Sequence, residues 1–320
     1  MSVTITTGGV TMTGAGVTFT APPPPSGNTA GWYQGGYAAS GSPRSQSLVD
    51  RITYATDTAT ASVRGPMSQY RYALAGTGTT TYGWIGGGST DTGSISLVDR
   101  ITYATDTATA TARGPLSINI TTLAATGSTT NGYFGGGFSP NNSIVQRITY
   151  ATDTNTASVV GPLSIARRGL AAVSNSTSGY FAGGNTGSAS SIVDRITYTT
   201  DTATASVRGP LSAGRYGLAG SSDGTTYGWF GGGYVGPRTS LVDRITYATD
   251  TATASVRGPL SAVGYNLAAT GNTTDGWFGG GDPYSSLVNR ITYATDTATA
   301  TARGPLSLAR YQLSGTSGTQ

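Results

Sequence analysis

The sequence predicts an all-β fold, a six-bladed β-propeller with four-stranded blades. Three observations carry this. The string Arg-Ile-Thr-Tyr occurs six times, from Arg51, Arg100, Arg147, Arg195, Arg244 and Arg290, at spacings of 49, 47, 48, 49 and 46 residues. That period is too long for a solenoid rung and suits one blade of four short strands with turns. The composition is strand-like: all 18 basic residues are Arg, all 14 acidic ones are Asp, and no Lys or Glu is present to favour helices. Finally, the chain enters the first repeat at its second strand and ends on a first strand, so the last segment can complete the first blade.

The elements follow in order within a unit. Strand B covers 83–88, Gly-Trp-Ile-Gly-Gly-Gly. Its aromatic position is Trp32, Trp84, Tyr133, Tyr180, Trp229 and Trp277, followed by Tyr33, Ile85, Phe134, Phe181, Phe230 and Phe278. Neighbouring strand residues point to opposite faces, so large apolar groups at both positions require both faces to be buried, as between two blades. The glycines after them are expected to let the strand approach a crowded hub. Strand C covers 97–103. A turn over 105–109 is built around an Asp whose side chain can bond nearby backbone amides. Strand D covers about 110–113, and Gly114-Pro115 ends its pairing. Strand A follows at about 123–126. Closure of the first blade by the segment 310–316 removes the exposed edge of an open array.

Residues 1–30 differ from the repeats. Val3-Thr-Ile-Thr, Val10-Thr-Met-Thr and Val17-Thr-Phe-Thr recur every seven residues and read as three very short strands, with Val3, Ile5, Val10, Met12, Val17 and Phe19 as one alternating set. Pro22 to Pro25 form a stiff spacer. Strands this short build no core alone, so the arm is read as an anchor that pairs with another chain. The organisation is therefore an arm, 1–30, and a propeller, 31–320.

Several functions are disfavoured. Without His or Cys there is no disulfide, usual zinc site, Cys nucleophile or His-based triad. A net charge of +4 without a basic cluster gives little support for nucleic-acid binding. No apolar run is long enough for a membrane helix, and no secretory signal is visible. The strand-C arginines recur in all six copies, whereas their neighbours are Asp50, Asp99, Asp194 and Asp243 but Gln146 and Asn289 elsewhere. These arginines are expected to bond carbonyls or a turn Asp of an adjacent blade. The turn aspartates Asp57, Asp106, Asp153, Asp201, Asp250 and Asp296 repeat six times and read as scaffold, not a catalytic pair. Asp91, Asp223, Asp275 and Asp282 are unique loop residues without a defined partner. The glycine-rich strings lack the Lys and helix of a phosphate loop, and no EF-hand spacing is present. No cofactor, metal or catalytic residue is assigned.

Gly-Gly after an apolar strand, a downstream Tyr and Asp turn, and then Pro-Leu-Ser-x-x-Arg resemble a kelch repeat over about residues 31–320. The Trp lies before the glycines instead of after the Asp turn. The final Arg is present at Arg71, Arg167, Arg215 and Arg310 but is Ile120 and Gly264 in the other copies. Ser221-Ser-Asp-Gly-Thr225 is similar to a sialidase aspartate box, but its glycine spacing and its Trp are wrong for one. The Cys and His ligands of galactose-oxidase-type kelch enzymes are absent. The copies of Arg-Ile-Thr-Tyr-Ala-Thr-Asp-Thr also resemble kelch-like virion proteins of marine bacteriophages.

The B–C connections, 37–47, 89–96, 138–143, 185–191, 234–240 and 282–286, differ in every blade, and the D–A connections vary too. Both emerge on one face of an alternating blade. They supply the candidate binding residues Tyr37, Arg44, Tyr70, Arg71, Phe138, Asn141, Asn142, Arg167, Arg168, Arg215, Tyr234, Arg238, Tyr284 and Arg310. The expected function is that of a non-enzymatic virion component: a tail fibre, tail-associated or capsid-decorating protein. Its arm would join other virion proteins, and its variable face would meet a host-surface glycan or protein. A bacterial surface or secreted glycan-binding propeller is the alternative, and a glycan-active enzyme using Asp, Tyr and Arg the weaker one.

Overall fold

The computed structural model describes residues 2–6, 9–14, 17–18, 28–41 and 43–318, the first three segments by backbone alone. Six four-stranded antiparallel sheets form a closed β-propeller, each ordered A-B-C-D. In the second blade these strands are Ala75–Gly78, Tyr82–Gly86, Val98–Thr102 and Thr111–Arg113. Blades are numbered here by their B strands, Ala30–Gln34, Tyr82–Gly86, Asn131–Gly135, Ser178–Ala182, Tyr227–Gly231 and Asp275–Gly279. Neighbouring A strands touch one another around the central channel. Strand D is only three residues long and lies at the outer edge, where brevity discourages further pairing.

The glycines after strand B do not approach the hub, which the A strands occupy. Gly87 and Gly88 instead take positive φ, 67° and 103°, at the far end of the strand. There Gly87 N–H donates to Leu97 of its own blade and Gly88 N–H to Ile120 at the next blade. A side chain on Gly87 would sit 2.7 Å from the Ile120 carbonyl. The glycine pair is needed where the backbones of two blades meet.

The seams are one contact repeated six times. Trp32 stacks on Tyr103 of the next blade with ring centroids 3.8 Å apart. The series continues as Trp84 on Tyr150, Tyr133 on Tyr198, Tyr180 on Tyr247, Trp229 on Tyr293 and finally Trp277 on Tyr54 of blade 1. The turn aspartates do not bond their own backbone amides as the sequence suggested. The turn closes through its backbone, Ala108 N–H to Thr105 C=O, which frees the carboxylate to reach back across the seam. Asp106 thus accepts from Trp32 Nε1 at 2.9 Å and from Arg51 at 3.0 Å, both in the preceding blade. Arg64 of strand D stands 3.6 Å away. The strand-C arginines therefore bridge to a neighbouring turn Asp, as expected, in every blade.

Five of the six tyrosines that follow strand C also reach back with the hydroxyl, Tyr103 being the exception. Tyr54 donates to Gly271, Tyr198 to Gly127 and Tyr247 to Ser174, each at 3.0 Å. Burial is the main cause that raises the pKa of Tyr54, Tyr103, Tyr150, Tyr198, Tyr247 and Tyr293 above the ordinary phenol value. A pKa raised by folding gives stability that is complete below the unfolded value, about 10, and is lost as pH rises toward the folded value. Each such tyrosine withdraws about 1.4 kcal/mol per pH unit in that window. Burial lowers three arginines, Arg71, Arg215 and Arg310, which acts in the opposite direction but is outnumbered. Alkaline titration should therefore unfold the disc cooperatively at about pH 11. Tyrosinate absorbance and loss of circular dichroism should appear in the same step. Gradual tyrosinate formation near pH 10 with unchanged ellipticity would refute this.

The ends close the disc as the sequence indicated. Ser314–Thr316 pairs antiparallel with strand B of blade 1, setting Ser314 opposite Gln34, Gly315 opposite Tyr33 and Thr316 opposite Trp32. Gln34 stands where the other blades have Gly86, Gly135, Ala182, Gly231 and Gly279. Its side-chain amide donates to Thr316 at 2.7 Å and accepts from Ser314 at 2.9 Å. At one channel mouth a ring of six backbone hydrogen bonds links Ala73, Thr122, Gly169, Gly217, Asn266 and Gln312 head to tail. Beneath it the channel narrows to a cavity of about 60 Å3 between leucines.

The arm segments Ser2–Thr6, Gly9–Gly14 and Val17–Thr18 pair with one another in a three-stranded antiparallel sheet. Val3 stands opposite Met12, Ile5 opposite Val10 and Val17 opposite Gly14, which keeps the predicted alternating set in register. Phe19 and the Pro22–Pro25 spacer lie outside the described residues.

Candidate functional site

Strand alternation brings the B–C and D–A connections to one face, as expected. The first B–C residue pairs with the residue just before each A strand's turn: Tyr72 with Ser89, Thr121 with Phe138, Arg168 with Asn185, Tyr216 with Tyr234, Tyr265 with Asp282 and Tyr311 with Tyr37. These short bridges fix the loop roots on rigid strands.

An arc of tyrosines results on blades 5, 6, 1 and 2. Tyr37 meets Tyr72 and Tyr311 edge-on at 5.1 and 5.8 Å, and Tyr284 meets Tyr311 at 5.3 Å. Tyr234 contacts Tyr216 at 5.4 Å and Tyr265 at 5.5 Å. Arg44 lies over Tyr37 at 4.8 Å and donates to the Tyr284 hydroxyl at 2.8 Å. Arg238 pairs with Asp282 and lies over Tyr265. On the other half of the face Arg168 covers Phe138 and donates to Asn141. Burial, then Tyr284, Tyr37 and Asp282, pushes the Tyr311 phenol up to about 12, and burial with Asp282 also raises Tyr265. Both hydroxyls remain neutral donors at ordinary pH. Half-buried aromatic faces with neutral hydroxyls and planar cations are suited to binding rings and polar groups together.

Most predicted residues lie on this face. Arg44, Tyr70, Phe138 and Arg238 are exposed, and Tyr37, Asn141, Asn142, Arg168, Tyr234 and Tyr284 are half-buried. Asn142 is used locally, its side-chain oxygen accepting from Ile144 N–H. Four assignments are corrected. Arg71, Arg167, Arg215 and Arg310 are 0% exposed and cannot meet a ligand on the surface. Each guanidinium lies inside a blade, paired with the strand-C aspartate: Arg71 with Asp99, Arg167 with Asp194, Arg215 with Asp243 and Arg310 with Asp50. Arg71 also donates to the carbonyls of Ile85, Gly87 and Leu97. Burial lowers its pKa to about 10, and Asp99 opposes the shift.

The sequence contained a signal for this. The two copies that lack the Arg, at Ile120 and Gly264, are the two whose strand-C residue is uncharged, Gln146 and Asn289. Tyr72, Tyr216, Tyr265 and Tyr311 were missed as members of the face. Each follows the position of the buried Arg, so the side chain after an inward one points outward.

The opposite face carries the A–B turns and a funnel of about 600 Å3 at the channel mouth, lined by Thr79, Ser128, Asn175, Asp223, Thr273 and Gly318 among others. Asp223 is already engaged, its carboxylate accepting from the N–H groups of Thr225, Thr226 and Tyr227.

No protein-family model matches the sequence, and no curated protein matches it. The fold is similar to that of YjhT, with a TM-score of 0.63 and 12% identity over 78% of this chain and 88% of YjhT. At that identity the likeness concerns the fold alone: the chain is a six-bladed β-propeller.

Proposed function

We propose that the chain is a non-enzymatic, kelch-like structural and adhesive protein of a phage particle, held by its N-terminal arm and presenting the tyrosine-rich face to a host-surface glycan or protein. One observation supports the reading: the chain enters the disc at Thr29 and reaches Gly318 on the face opposite the variable loops. Strand B of blade 1 starts at the A–B turn level, where Thr29 C=O accepts from Tyr54 N–H as Thr81 does from Tyr103. Gly318 lines the funnel on that side. An anchor attached there leaves the loop face free. The assignment to a virion rests on the likeness of the repeated strings to kelch-like virion proteins of marine bacteriophages. A bacterial surface or secreted glycan-binding propeller would use the same two-faced arrangement.

Removing residues 1–25 should leave the melting temperature of the disc unchanged and abolish its incorporation into particles. Tyr37→Ala combined with Tyr284→Ala should leave incorporation intact and weaken cell attachment. Normal incorporation of the truncated protein would overturn the anchor, and unchanged attachment by the double variant would overturn the binding face.

A further inference from the structure

The four buried arginines occupy equivalent slots, and blade 6 has the slot without the arginine. In the filled slots the guanidinium donates to the carbonyl of the second aromatic position, which is Ile85, Phe181, Phe230 or Tyr33. It also meets the strand-C carboxylate, and in blades 1 and 2 the carbonyl of the first loop glycine, Gly35 or Gly87. Blade 3 fills the space with Ile120, which is 0% exposed. In blade 6 the position is Gly264; the backbone counterparts of those acceptors are Phe278, Gly280 and Leu287, and Asn289 replaces the aspartate, its side-chain oxygen already accepting from Ser261. A cavity of about 520 Å3 remains there, lined by Gly264, Gly280, Leu287 and Asn289, with Asp282 and Tyr284 nearer the loop.

The absent side chain has not been replaced by collapse. A Cβ added to Gly264 would meet only Leu267 and Asp282, no closer than 3.4 Å, and Gly264 needs no positive φ. The strands around it keep the register of the other blades, with Phe278 opposite Asn289 as Ile85 is opposite Asp99. The slot has lost its carboxylate to Asn289, but Asp282 supplies one beside it, now paired with Arg238. Arg303 also borders the cavity and is held by Asp57 at 3.3 Å. Its counterparts Arg113 and Arg257 stand in the blades whose slots are filled by Arg71 and Arg215, so a nearby strand-D cation is compatible with occupancy.

We infer that this slot is a binding site for a guanidinium group, the side chain of an arginine carried by a partner chain, which inserts from the loop face. The planar fork of N–H donors matches backbone carbonyls at the positions that accept one in the sister blades, with the Asp282 carboxylate beside them, whereas an ammonium group meets fewer of them at once. This site is independent of the arm and adjoins the tyrosine arc, with which it shares Tyr284 and Asp282.

The test uses the full chain. Acetyl-Gly-Arg-Gly-amide, its lysine counterpart and methylguanidinium are titrated by calorimetry. Gly264→Arg/Asn289→Asp rebuilds the filled slot, and Gly264→Ile copies blade 3. The arginine peptide should bind saturably and one-to-one, the lysine peptide and methylguanidinium more weakly, and both filled variants should lose the binding while melting no lower than the parent. Absence of saturable arginine-peptide binding, or its survival in a folded filled variant, would overturn the site. Equal affinity for methylguanidinium would overturn a partner chain as the source. Should the double variant not fold, Gly264→Ile decides.

Discussion

A chain shortened by residues 311–320 is expected to aggregate or to melt far below the full protein. The deletion removes the strand opposite Trp32, Tyr33 and Gln34, and with it the partner of the buried Gln34 amide. An unsatisfied buried amide alone costs about 1–3 kcal/mol. It also removes Leu313, which packs in the cluster between blades 6 and 1, at a typical cost of about 2–5 kcal/mol. The ring of backbone bonds at the channel mouth loses its Gln312 link on both sides. Domain stabilities are commonly about 5–15 kcal/mol, so these losses together are of the order of the whole. An exposed, unpaired strand B then offers an edge to other chains. Light scattering and a thermal melt check this; a monomer with unchanged melting would refute closure by the C-terminal strand.

Replacing Asp99 by Ala should be nearly as damaging although it touches no seam. Arg71 is left wholly buried without its carboxylate, and Ser68 loses the acceptor of its N–H and hydroxyl. Removing one partner of a buried pair costs about 3–5 kcal/mol. The double variant Arg71→Ile/Asp99→Gln copies blade 3, where Ile120 is buried and Gln146 accepts from Ser117. It should recover most of the loss, because no uncompensated charge remains. Urea unfolding of the single and double variants reads the difference. If the double variant is as unstable as Asp99→Ala, or worse, the buried pair is not the cause.

These residues also show how far the sequence carried. The blade count, the four strands, the closing segment and the seam role of the strand-C arginine follow from period, alternation and six-fold recurrence. Those signals survive in one chain because the repeats act as its own alignment. Direction in space was harder to read. The turn Asp106 suited a local amide bond by residue type, yet its carboxylate points across the seam, since a backbone bond already closes the turn. Arg71 was taken for a surface residue because it belongs to a variable connection. One position along a strand reverses the side chain, so Arg71 is inside and Tyr72 is outside. The open slot at Gly264 required the surrounding backbone, because a glycine in a sequence does not say whether its space has closed.

The near-identical strings have a consequence for how such a chain can change. Between one Arg-Ile-Thr-Tyr copy and the next, a single segment carries the D–A residue and the strand-C residue that must match it, as Arg71 with Asp99 or Ile120 with Gln146. The same segment carries one complete B–C loop. A genetic crossover between two strings therefore moves a loop and its matched interior pair together. Apart from the C-terminal closing copy, each junction it creates again sets a strand-B aromatic side chain and an arginine against a turn aspartate. Loop surfaces can be reshuffled around the disc by recombination without creating an unmatched buried charge.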